Sequence, residues 1–78
     1  MKPPRMRDSK WLADRLGLSI TTLERMRAEK SKDLPPHIKL GTVYRYDYKY
    51  VDWWIQKRLN PEIEPFEEWN LKNATPLT

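Results

Sequence analysis

Leu12-Ala13-Asp14-Arg15-Leu16-Gly17-Leu18-Ser19-Ile20-Thr21-Thr22-Leu23-Glu24-Arg25-Met26 reads as two short helices joined by a tight turn. Leu12 and Leu16 stand four apart and share a helix face. Ala13 is small, as a close helix crossing requires. Gly17 follows the last apolar residue of the first helix, where a left-handed residue commonly ends a helix and glycine adopts that conformation without steric cost. Leu18 returns to the core. Ser19 is a good N-cap for the second helix, and Leu23 and Met26 continue the buried face. A small residue, a glycine and an apolar residue at 13, 17 and 23 have the spacing of a helix-turn-helix, which can place its second helix in a DNA major groove.

The second helix spans residues 20 to 28. With Leu23 and Met26 inward, a 100° step per residue turns Thr21, Arg25 and Ala28 outward. Thr22 and Glu24 flank that face, Ile20 falls nearer the core, and Arg27 sits at the border, suited to phosphate or to packing. Arginine can pair bidentately with guanine, and threonine can reach phosphate, a base edge or a thymine methyl. The alternative is an ordinary solvated helix face.

Downstream, residues 29 to 36 form a polar loop closed by Pro35-Pro36. Ile38-Lys39-Leu40 and Val43-Tyr44-Arg45-Tyr46, with Gly41-Thr42 between them, predict a hairpin. Alternation puts Ile38 and Leu40 on one face of the first strand and Tyr44 and Tyr46 on one face of the second. A hairpin after a helix-turn-helix is a wing. Lys39 and Arg45, expected on its outer side, would lie along a phosphate backbone or a minor groove; otherwise they are solvated strand charges. His37 reads as a loop residue. Asp47 caps a third helix, with Tyr46 and Val51 as its hydrophobic staple. Val51, Trp54, Ile55 and Leu59 form its predicted buried stripe. Trp53 lies off that stripe, to pack against the tail, to meet a neighbouring copy or to stay partly exposed.

Upstream, residues 1 to 7 hold two prolines and three basic side chains and read as a loose basic arm. Asp8 and Ser9 both offer a cap for the first helix, and Trp11 packs at the edge of the core. Asn60-Pro61 ends the third helix. Residues 60 to 78 form an acidic, aromatic tail in which Pro65 at an N1 position starts a helical turn through Phe66-Glu67-Glu68-Trp69. Three fates are open to it: folding back on the domain, docking a partner through Phe66 and Trp69, or disorder.

Composition narrows the function classes. The 78 residues hold one small domain, and a chain of that length buries only about 60% of the surface it exposes when unfolded. Without cysteine and with one histidine, neither a disulfide staple nor a structural zinc site is expected. No membrane span or signal peptide is legible, so a cytoplasmic setting is expected. Residues 1 to 59 carry 14 Lys+Arg against 7 Asp+Glu, or +7, whereas residues 60 to 78 carry 1 against 4, or −3. The basic body implies a polyanion partner, unless the charge serves only solubility. No nucleophile set, metal cluster or phosphate-cradling glycine loop is legible, so neither an enzyme nor a cofactor is expected.

Leu12-Ala13, Leu16-Gly17-Leu18-Ser19, Thr22-Leu23 and Arg25 resemble the first half of excisionase-type and AlpA-type prophage regulators. Leu34-Pro35, Ile38-Lys39-Leu40-Gly41, Arg45-Tyr46, Val51-Asp52 and Trp54-Ile55 resemble the second half. The resemblance covers residues 8 to 59 and implies a winged helix-turn-helix similar to the DNA-binding domain of MerR-like regulators, mostly α with a small β-hairpin. It implies a second helix in the major groove and a wing on the adjacent backbone or minor groove. It also implies a recombination directionality factor that binds beside a phage attachment site, bends the DNA and assists an integrase in excision. An AlpA-type transcription regulator would use the same surface. The candidate DNA-binding residues are Ser19, Thr21, Thr22, Arg25, Arg27, Lys39 and Arg45. Position 20, often polar in such proteins, is Ile20, and the wing tip, often basic, is Gly41-Thr42-Val43. One module of this size covers only about 600–1,000 Å² on DNA, so neighbouring copies are expected partners. From another class, the helix-turn-helix could be only a scaffold for protein binding.

Overall fold

The first three helix starts each coincide with a side chain that can accept a backbone N–H. In the computed structural model, which describes residues 5–73, Asp8 caps α1 (Ser9–Leu16), Ser19 caps α2 (Ile20–Ala28) and Asp47 caps α3 (Tyr48–Leu59). The carboxylate of Asp8 accepts the Trp11 N–H at 2.9 Å, which makes Asp8 rather than Ser9 the cap. Gly17 is left-handed at φ 70°, and the Leu18 N–H reaches back to the Ala13 carbonyl at 2.8 Å. Apart from its two chain neighbours, nothing lies within 4 Å of where a Gly17 Cβ would stand. Gly17→Ala should therefore destabilise by about 1–2 kcal/mol through backbone conformation alone, and Gly17→Asn by less. A urea midpoint unchanged in Gly17→Ala would contradict this.

β2 (Ile38–Leu40) and β3 (Val43–Asp47) form the predicted hairpin, but a third strand joins it. β1 (Met6–Arg7) pairs antiparallel with β3 on the opposite edge, giving the order β1-β3-β2. Residues 5 to 7 are thus not a loose arm; residues 1 to 4 lie outside the described residues. Arg5 secures the pairing, its Nε 3.0 Å from both carboxylate oxygens of Asp47 and its carbonyl accepting the Tyr48 N–H. The hydrogen bond to Asp47, and secondarily that carboxylate's charge, raise the Arg5 guanidinium above its ordinary range.

The core is Leu12 and Ala13 of α1, Leu23 of α2, Tyr46 of β3 and Val51 of α3, with Trp11, Leu16, Leu34, Tyr44 and Ile55 around it. Ile20, expected nearer the core, is the first residue of α2 and is 40% exposed instead.

α3 departs from its predicted stripe. Val51 is buried and Ile55 packs on the core as expected, but Trp53 is the buried tryptophan at 7% exposure, Trp54 is half-buried, and Leu59 is 77% exposed. The reason lies in the tail. The Trp53 indole N–H donates to the Glu64 carbonyl at 2.9 Å, and Phe66 packs on the rings of Tyr50 and Trp53 at centroid separations of 4.9 and 6.0 Å. α3 therefore has a second covered face, and its last turn runs past the core. Of the three fates for the tail, folding back is the one observed for residues 60–73. α4 (Phe66–Lys72) is longer than one turn, and Pro65 takes its N-cap position rather than N1. Pro76 and Leu77 lie outside the described residues. The chain thus comprises four helices and a three-stranded antiparallel sheet among the described residues.

Candidate nucleic-acid interface

The outward face of α2 is built by its cap and its buried residues together. Ser19 Oγ accepts the Thr22 N–H at 3.1 Å and donates to Thr22 Oγ1 at 2.9 Å, so both hydroxyls are engaged in starting the helix. With Leu23 sealed in the core, Thr21, Glu24, Arg25 and Ala28 are exposed. The Arg25 side chain makes no hydrogen bond, ion pair or aromatic-ring contact among the described residues. Every other arginine among them has a partner. Arg5 pairs with Asp47, Arg15 with Asp52 at 3.4 Å and Arg58 with Asp33 at 3.2 Å. Arg7 lies 5.6 Å from the Trp11 ring, and Arg45 Nη1 donates to the Tyr44 carbonyl at 2.9 Å.

Arg27 is turned inward. Its Nη1 donates to Ser9 Oγ at 2.9 Å and to the Tyr46 hydroxyl at 3.0 Å, and its guanidinium stacks 3.8 Å from the centre of the Tyr44 ring. One side chain thereby ties α1, α2 and β3 together. Of the two placements open to this border residue, packing is the one observed.

The hairpin divides its two cations. Register sets Lys39 opposite Tyr44 and Ile38 opposite Arg45, and opposed residues share a sheet face. Lys39 is therefore on the tyrosine face, its ammonium 5.7 Å from the Tyr44 ring, and Arg45 is on the other face. They do not share one outer side as alternation within each strand suggested, because the two-residue turn brings Leu40 opposite Val43 and so puts an even-numbered residue against an odd-numbered one.

Arg27 and Arg45 meet at one shallow depression of about 520 Å³, walled also by Lys10, Glu24, Thr42 and Val43. The hairpin tip and one edge of α2 thus border the same hollow. Lys10 and Thr42 join Glu24, already expected to flank the α2 face, from two separate elements with no common spacing. A cleft of about 560 Å³ lies elsewhere, between α3 and the Leu34–Pro36 loop, and includes none of the candidate DNA-binding residues. Phe66 and Trp69, read as partner-binding, are half-buried, Phe66 against α3 and Trp69 beside Phe66 at 6.3 Å. Among the described residues there is no group of three or more His, Cys, Asp or Glu placed to hold a metal ion, and no helix is long and apolar enough to cross a membrane. No family model, curated protein or solved structure matches this chain.

Proposed function

We propose that the chain is a non-enzymatic protein that binds double-stranded DNA sequence-specifically as a winged helix-turn-helix. In this proposal α2 enters the major groove and the β2–β3 hairpin is the wing on the neighbouring backbone. The observation that carries it is the contrast among the arginines: Arg25, at the centre of the outward α2 face, is the one left without a protein partner among the described residues. A guanidinium held exposed beside a threonine and an alanine suits a guanine edge in a groove that bulkier neighbours would block. The basic excess of residues 1 to 59 supplies the attraction to phosphate.

Following the excisionase-type proteins that residues 8 to 59 resemble, the bound sites lie beside a phage attachment site, the protein bends the DNA, and it steers an integrase toward excision in the cytoplasm of the host. Loss of excision on deleting the chain, with integrase present, supports that role. A phenotype independent of integrase indicates an AlpA-type regulator.

Binding itself is tested by selecting duplexes from a random-sequence library with the full chain and titrating them across salt. About four to six phosphate contacts give a log–log slope near −4 to −5. Lys39→Ala and Arg45→Ala should each weaken selected and random duplexes alike and reduce that slope by about 1. No salt-sensitive binding even in dilute buffer would overturn the proposal.

A further inference from the structure

The hairpin tip carries an apolar ridge where a DNA-binding wing would ordinarily carry charge. Leu40 and Val43 face each other across the Gly41-Thr42 turn and continue into Ile38. The three are 61%, 41% and 45% exposed. Such a contiguous apolar ridge on a small protein marks a contact surface. The turn is also narrow: it has two residues, and Gly41 takes the positive φ of 64° that hairpin turns matched to strand twist require.

We propose that this tip is a wedge: Leu40 and Val43 enter the minor groove beside the helix-bound major groove, partly unstack one base step and kink the duplex. The inference rests on the DNA-binding proposal above and names how the wing would act. Two observations favour DNA over a protein surface as the occupant. Thr42 and Val43 border the same depression as Glu24 and Arg27, so a duplex lying along α2 runs beside the tip. Arg45 stands on the same sheet face as Ile38, Leu40 and Val43, so a cation lies beside the ridge, while Lys39 is on the reverse face. A phosphate strand borders a groove, and a cation next to the apolar residues is placed to meet it. Aliphatic side chains inserted in this way kink DNA in other architectures by opening the minor groove, and pyrimidine–purine steps unstack most easily.

The test uses the full chain and the library-selected duplexes, with 2-aminopurine substituted one position at a time and the duplex ends labelled for energy transfer. Fluorescence should rise at one step, and the ends should draw together. Leu40→Ala should abolish most of both signals and weaken binding about threefold to tenfold, whereas Leu40→Phe should deepen the kink. Leu59→Ala, an exposed leucine on another element, should change neither. Because Leu40 is exposed, its variants keep the fold, which circular dichroism checks.

Salt-sensitive binding with no brightened step, or a Leu40→Ala protein that bends DNA like the parent, overturns the wedge and leaves DNA binding standing. Failure to select any duplex overturns both. Loss of integrase capture in Leu40→Ala with unstacking unchanged assigns the ridge to a protein contact and likewise overturns the wedge.

Discussion

Leu23→Ala is expected to remove about 2–5 kcal/mol of folding stability. Leu23 is fully enclosed, in one cluster with Leu12, Ala13, Tyr46 and Val51. It is the sole fully buried residue of α2, so no neighbour on that helix can refill the space. A 78-residue chain has only roughly 4–12 kcal/mol to lose, at about 0.05–0.15 kcal/mol per residue. The substitution can therefore leave a large unfolded fraction at 37 °C. Chemical denaturation provides the measurement: the urea midpoint should fall by more than about 1 M. Leu59→Ala, by contrast, should stay within about 0.5 kcal/mol because that side chain is already in water. Comparable losses at Leu23 and Leu59 would mean that the helices do not cross as described.

Two arginines one residue apart on either side of Met26 should fail in opposite ways. Arg25→Ala should leave stability within about 0.5 kcal/mol, yet cost about 1–3 kcal/mol on the selected duplex and relax discrimination at one base pair. Arg27→Ala should cost about 1–3 kcal/mol of stability. Removing its guanidinium leaves the hydroxyl of the fully buried Tyr46 without its donor and removes the stack on Tyr44. Its effect on DNA affinity should be smaller than that of Arg25→Ala once the folded fraction is accounted for. Denaturation and anisotropy on the same preparations decide between them. Arg25→Ala binding like the parent would remove the main support for α2 as the recognition helix.

The local signals that the chain carries in short stretches determined much of this structure. The Ser19 and Asp47 caps, the left-handed Gly17, the two crossing helices and the two-residue hairpin turn each depend on a few adjacent residues, and the structure has them where the sequence places them; for the first cap it takes Asp8 of the two residues the sequence offers. The outward placement of Thr21 and Arg25 follows from helix periodicity alone once Leu23 is buried. What only the tertiary structure decided involves partners distant in the chain. Met6 and Arg7 become a strand because β3 has a free edge and Asp47 receives Arg5 from 42 positions away. Trp53, not Trp54, is buried because the tail returns to cover a second face of α3 that no single-stripe periodicity can indicate. Arg27 is a bracket because Ser9, Tyr44 and Tyr46 converge on it from two other elements. Lys39 and Arg45 separate because strand register, not alternation within one strand, sets which side chains share a face.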